Sequence, residues 1–210
     1  DGEGFPTLVF FHGGGFEKCD KAGAEFAVLS EFFVSHGIAL ISANYRMYPT
    51  AKYPEFIVDS AEAVKWSLDY IRENFDGIKL YVGGSSAGGY LSMMLCFDKK
   101  YLAVRGLDAD SLSGYVHDAG QPTTHFNVLR ERGVDSRRLI VDEFAPLYHI
   151  GAYAGECAPM TFIVSDNDME NRYEQTLLLC STLKHFGHED KFEFKLMENC
   201  THCSYTNDFD

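Results

Sequence analysis

The 210-residue sequence predicts a single α/β domain, a mostly parallel sheet of about six strands flanked by helices. Three observations point there. Short, nearly continuous apolar runs recur along the chain, as expected of strands covered on both faces. Helical patterns separate them. Each of the runs near 11 and 83 opens into a cluster of glycines, the punctuation expected where a parallel strand turns toward a helix and a ligand approaches the backbone.

The strands are read in order. "TLVFF" (7–11) is a buried strand and "GIALISANY" (37–45) a second. "KLYVGG" (79–84) is the third, and "LSGYVHDAG" (112–120) contains the fourth. "MTFIVS" (160–165) and "KFEFKLM" (191–197) complete the set. Between the first two runs, "FAVLSEFFVSHG" is an amphipathic helix. Ile57, Ala61, Val64, Leu68 and Ile71 repeat at helix spacing, as do Tyr173, Leu177, Cys180 and Leu183 before the helix-ending Gly187. The stretch 119–158 lacks this rhythm and is long for a connection. Two readings stay open for it: a cap or lid excursion over the sheet edge that carries part of the active site, or an ordinary crossover helix with long loops. The domain assignment is therefore one domain over 1–210 with 119–158 as the candidate excursion.

Composition excludes several classes. Hydrophobic residues make up 46% and charged residues 23%, which is ordinary for a globular protein. A net charge of −13 repels phosphate backbones and anionic lipid, so neither nucleic acid nor a membrane surface is an expected partner. No apolar run reaches spanning length, and "DGEGFPTLVFF" has no basic region of the kind that opens a signal peptide. Six scattered cysteines favour reduced thiols, hence a cytoplasmic setting, over a disulfide framework. "CTHC" (200–203) is a C-x-x-C pair, but no second ligand pair accompanies it, so no metal is expected.

The glycine clusters carry the chemistry. Gly84-Ser85-Ser86-Ala87-Gly88 matches G-x-S-x-G with Ser86 central, at a strand–turn–helix junction. Such a turn strains the serine backbone and exposes its hydroxyl. Ser85 falls out of register, since its own window ends in Ala87. A phosphate-binding loop would need a following Lys, which is lacking. The second cluster, "HGGGF" (12–16), directly follows a strand, and its N–H groups suit an oxyanion. Gly14 and Gly15 are the candidate donors, with the N–H of Ala87 as the third. His12 is read as holding the loop, and Phe16 as either walling a pocket or packing.

A serine needs a base, and the base an orienting acid. Asp166, Asp168 and Glu170 compete after the fifth strand. Asp168 sits where it would face the carboxyl edge of the sheet, whereas Asp166 suits a cap or turn. His202 follows the last strand, in the order Ser, Asp, His. His185 and His188 flank a helix end and look solvated, and His117 and His149 come too early. Cys200 and Cys203 flank the base, and a disulfide between them would displace its loop.

These residues resemble the α/β-hydrolase superfamily, and within it the carboxylesterase branch that carries HGGG and GxSxGG, including hormone-sensitive-lipase-like and acetyl-esterase-like enzymes. The carriers are "HGGGF", "SANYRMYPTAKYPEFIVDSAEAVKW" (42–66), "GGSSAGGYL" (83–91), "SDNDM" (165–169) and "CTHCSY" (200–205). The resemblance implies that Asn44, Tyr45, Arg46 and Pro54 support the elbow, and that Asp59 and Trp66 belong to the helix packed there. It also implies a small-molecule ester as substrate, such as a short-chain acyl, acetyl or feruloyl ester of a sugar, with no cofactor. A peptidase or amidase using the same triad, or a non-catalytic binding protein on this fold, are the alternatives. The chain departs from lipase-like members at Ser85, where they carry an acidic residue, and at "MYPT", where they often read "LAPE". Two strands that open the family's sheet have no counterpart between residue 1 and Thr7, and residues preceding this sequence, or another chain, are expected to cover the strand edge they would otherwise pair with.

Overall fold

The computed structural model describes residues 4–75, 79–151 and 157–207. The ends of the 1–210 span and residues 152–156 of the candidate excursion lie outside them. Six strands are described: β1 (Thr7–Phe11), β2 (Ala39–Ala43), β3 (Leu80–Ser85), β4 (Gly114–Asp118), β5 (Met160–Asn167) and β6 (Phe192–Thr201). They form one sheet in the order β2-β1-β3-β4-β5-β6, and every neighbouring pair is parallel. The strand order reverses direction between β1 and β3. The loops leaving those two strands therefore meet at the carboxyl edge, where open parallel sheets hold their ligands.

Every predicted strand is present, with shifted ends. β6 runs through Thr201, so Cys200 is a strand residue rather than a loop residue. β5 reaches Asn167, past the predicted end at 165, and a register irregularity between Ser165 and Asn167 accompanies the extension.

The three predicted helices are α1 (Ala24–Ser35), α2 (Glu55–Asn74) and α6 (Arg172–His185). α3 (Ala87–Phe97) springs from the elbow, and all eleven of its residues are buried. Two short helices, α4 (Lys100–Ala103) and α5 (Phe126–Glu131), have too few turns to show periodicity. The main core lies on the face covered by α2, α3 and α6, where Val9, Phe11, Val82 and Phe162 meet Phe56, Leu91 and Leu179. A smaller cluster of Leu8, Phe10 and Leu29 seats α1 on the opposite face. Each large apolar side chain buried this way contributes about 1.5–3 kcal/mol. Phe16 belongs to the main core, stacked on Phe56 at 4.2 Å, and so packs rather than walling a pocket. Asp59 and Trp66 both lie on α2, and Trp66 stacks on Tyr70 on its solvent face, 58% exposed. Among the described residues no helix is long and apolar enough to cross a membrane.

Candidate active site

The turn after β3 is tight because strand and helix almost touch. A Cβ on Gly84 would stand 2.7 Å from the Phe11 carbonyl oxygen, and one on Gly88 would collide with that same carbonyl. Between these glycines Ser86 takes φ 57° and ψ −111°, a backbone conformation that side chains rarely adopt. Its N–H donates to the Asp118 carbonyl at 2.8 Å, which ties the elbow to the end of β4.

Three side chains from three strand ends meet here. His202 Nε2 lies 2.9 Å from Ser86 Oγ, and His202 Nδ1 lies 2.6 Å from Asp168 Oδ1. A carboxylate only accepts, so Nδ1 carries the hydrogen and Nε2 is left to accept from the serine. The Asp168 side chain is fully buried and that of His202 is 26% exposed. Burial works to raise the Asp168 carboxyl. The His202 hydrogen bond and charge, the Met169 N–H and the Arg172 guanidinium outweigh it and hold the carboxyl below its ordinary range. Asp168 therefore stays ionised at neutral pH.

Asp166 goes elsewhere. Its two oxygens accept from the N–H groups of Asn199 and Cys200, which pins an irregular turn of β6 where Asn199 has φ 59°. Glu170 is exposed. The four rival histidines lie elsewhere. His117 is buried beneath Ser92, and burial pushes its ring down to about 3. His149 lies 3.4 Å from Asp98. His185 is exposed at the end of α6, as expected, but His188 is buried rather than solvated.

The glycine loop is held through its carbonyls. A trans peptide points its C=O and the next N–H in opposite directions, so anchoring one aims the other. The Gly13 carbonyl accepts from Tyr45 Oη at 3.2 Å and from the His12 ring at 2.8 Å, which aims the Gly14 N–H. The Gly14 carbonyl accepts from the N–H groups of Glu17 and Lys18, which aims the Gly15 N–H. The Ser86 carbonyl accepts from Tyr90 N–H, which aims the Ala87 N–H, the first of α3. None of these three N–H groups donates to a protein acceptor among the described residues. Gly14 has φ 99° and Gly15 φ 64°, so the bend needs glycine. His12 stacks on Tyr45 at 4.6 Å, consistent with a loop-holding part.

Several contacts at the site escaped the sequence reading. Asn127 donates to the Gly15 carbonyl, and nothing in the spacing of 112 residues announces it. Arg172, 3% exposed, donates to the Ala119 carbonyl behind Asp168. Ser85 is buried and donates to Cys203 Sγ at 3.1 Å, while Tyr205 donates to Asp118 Oδ1. All six cysteines are free thiols, so no disulfide distorts the histidine loop. Among the described residues no group of three or more His, Cys, Asp or Glu could hold a metal ion. A cavity of about 280 Å³ is lined by Gln121, Phe126, Leu139, Met169 and Arg172 among others, with Met169 next in sequence to Asp168.

The BD-FAE family model matches residues 1–128. A gibberellin receptor of Arabidopsis thaliana is 34% identical over 93 residues, which is 42% of this chain and 27% of that protein. The carboxylic ester hydrolase LipN of Mycobacterium tuberculosis is 32% identical over 93 residues, 43% of this chain and 24% of that protein. The chain thus spans less than a third of the length of these curated relatives. Among solved structures, an esterase of Thermogutta terrifontis superposes with a TM-score of 0.75 at 18% identity, covering 97% of this chain and 74% of that one. The likeness shows the α/β-hydrolase fold.

Proposed function

The chain belongs to the BD-FAE family, and from that premise we propose that it is a serine hydrolase of carboxylic esters. One observation carries the reading: the unbroken line from Ser86 Oγ through the His202 ring to Asp168, with links of 2.9 and 2.6 Å. Ser86 Oγ attacks the ester carbonyl carbon while His202 Nε2 takes its proton. Asp168 holds the tautomer and stabilises the imidazolium. The N–H groups of Gly14, Gly15 and Ala87 receive the oxyanion. Collapse breaks the carbon–oxygen bond to the alcohol, which leaves with the proton from His202. Water then attacks the acyl-enzyme by the same steps in reverse and releases the acid.

The pocket reading follows from the cavity. Phe126 lies 3.8 Å from where a Gly15 Cβ would stand, and Met169 directly follows Asp168. Segment 119–158 supplies Gln121, Phe126 and Leu139 to the cavity wall and so acts as the cap of a single domain. Its mixed polar and apolar lining suits a short-chain acyl, acetyl or feruloyl ester of a sugar, a small-molecule substrate. The esterase names among the relatives support ester over amide cleavage.

The test is hydrolysis of p-nitrophenyl acetate, butyrate and octanoate by the protein and by Ser86→Ala at equal folded concentration. The expected result is turnover that the variant lacks, by a factor on the order of 10⁴ or more, with an unchanged melting temperature. Equal rates for the two proteins would refute the reading. A folded wild type without turnover would favour a binding protein on this fold.

A further inference from the structure

The base sits on weaker ground than the nucleophile. Strand pairing of β6 stops at Thr201, and His202 lies one residue beyond it. Before the ring, the Thr201 carbonyl accepts from Ser165 Oγ at 2.8 Å, and the Thr201 N–H donates to Ser204 Oγ at 3.0 Å. After the ring, two side-chain contacts bring the loop back to the sheet. Ser85 Oγ donates to Cys203 Sγ at 3.1 Å, and Tyr205 donates to Asp118 Oδ1. Ser85 and Asp118 are the last residues of β3 and β4 and are paired in the ladder. Both are buried. Asp118 also accepts the Ser86 N–H through its carbonyl. One residue thus holds the nucleophile by its main chain and the base loop by its carboxylate. Cys203 accepts φ 56° to make its contact, a conformation costly for a residue with a side chain.

We propose that Ser85–Cys203 and Asp118–Tyr205 form a two-point clamp that fixes the His202 ring against Ser86, which makes Cys203 and Tyr205 positioning residues. The inference rests on the esterase reading for its kinetic consequence. It also explains the departure at Ser85. The hydroxyl there is matched by a thiol 118 residues away that accepts it. The geometry of a general base tolerates little error, since a displacement of about 1 Å can cost about 100-fold in rate. A clamp acting on the ring therefore shows in kcat more than in KM.

The experiment compares Ser85→Ala, Cys203→Ala, Cys203→Ser and Tyr205→Phe, with the double variant S85A/C203A. For p-nitrophenyl butyrate, the clamp predicts kcat lowered about 5- to 20-fold in S85A, C203A and Y205F, with KM within about twofold. C203S keeps an acceptor and recovers most of the C203A loss. The double variant is no slower than the slower single one, because both remove one contact. A second readout needs no turnover: the downfield proton NMR resonance of His202 Nδ1–H facing Asp168, assigned by its loss in His202→Ala. It shifts or broadens in S85A, C203A and Y205F and returns in C203S. Unchanged kcat and an unmoved resonance across these variants would overturn the clamp. So would C203A and C203S losing alike, or losses that track only melting temperature. A wild type that shows the resonance and hydrolyses no ester would fail the esterase reading alone, and the resonance would then decide the clamp.

Discussion

Ser86 and His202 stand 2.9 Å apart but are held in unlike ways. The nucleophile belongs to the buried half of the molecule. Behind it lies α3, buried along its whole length, and around it backbones approach too closely for any side chain but hydrogen. The base belongs to the end of β6, a strand whose residues are all half-buried or exposed, and a handful of side-chain hydrogen bonds keep it in place. Packing sets the serine, and polar contacts set the histidine. Damage near the serine should therefore appear first as lost stability, and damage near the histidine as lost rate.

The sharpest break of that contrast is Gly88→Ala. Its Cβ would collide with the Phe11 backbone, which cannot swing aside as a side chain tip can. The expected cost is ~3 kcal/mol or more, a large part of the ~5–15 kcal/mol that holds a domain together. Urea titration and soluble yield would report it; a variant of wild-type stability would show that the elbow is not set by packing. The counterpart on the other side is Asp168→Asn. It keeps shape but favours the wrong imidazole tautomer, and kcat should fall by about 10⁴, while the urea midpoint at pH 7 falls only by what the ionised carboxylate contributes there. The sign with pH follows from the depressed Asp168 carboxyl. Its contribution is present above the ordinary value of 3.8 and is lost as pH falls through the lower folded value. D168N should therefore flatten stability below pH 3.8, on the acid side only.

The same contrast explains what the sequence revealed. Apolar runs gave away the strands, because parallel strands buried on both faces have little choice of residue. The elbow and glycine loop were legible for a related reason: close backbone approach admits few residue types. In the sequence, Asp168 is preferred to Asp166 on loop position alone, because both come at the end of the fifth apolar run. The extension of β5 to Asn167 turns Asp166 toward β6 and leaves Asp168 beneath His202. Segment 119–158 stayed open between two readings since α5, at six residues, is too short for a helical period to show. Tyr45 was visible only as part of a resemblance. Cys203 and Tyr205 were not visible as partners of Ser85 and Asp118, since a hydroxyl–thiol or phenol–carboxylate contact across the fold obeys no spacing rule.

A milder change tests the join between the two halves. Tyr45 is buried in the core, and its hydroxyl donates to the carbonyls of His12 and Gly13 at 2.8 and 3.2 Å. Tyr45→Phe leaves the His12 carbonyl short of its donor, at a cost of about 1–3 kcal/mol, and leaves the Gly13 carbonyl to the His12 ring. It also removes one of the two donors that hold the peptide aiming the Gly14 N–H. Losing one oxyanion donor outright costs roughly 10²–10³ in kcat, so loosening one should cost about tenfold, with KM nearly kept. A variant that loses stability and keeps full kcat would place Tyr45 with packing alone.

The smallest effect on rate is expected at His117, deep in the buried half and in contact with none of the triad side chains. Burial holds its ring down to about 3, against an ordinary value of 6.5, so the folded protein keeps it neutral where the unfolded chain takes up a proton. Stability from this residue is present above pH 6.5 and drains away as pH falls toward 3, at up to about 1.4 kcal/mol per pH unit. Gln cannot take up that proton. His117→Gln should therefore flatten the dependence of the urea midpoint on pH between 6.5 and 3, while kcat at pH 7.5 stays within about twofold. His117 reaches Ser92 and three aromatic rings rather than the triad, which is why rate and stability should separate here. An unchanged slope would mean that the imidazole is protonated inside the fold. A fall in kcat to match the stability would mean that the buried half reaches the reacting atoms through the end of β4, and the division between packed nucleophile and tethered base would have to be redrawn.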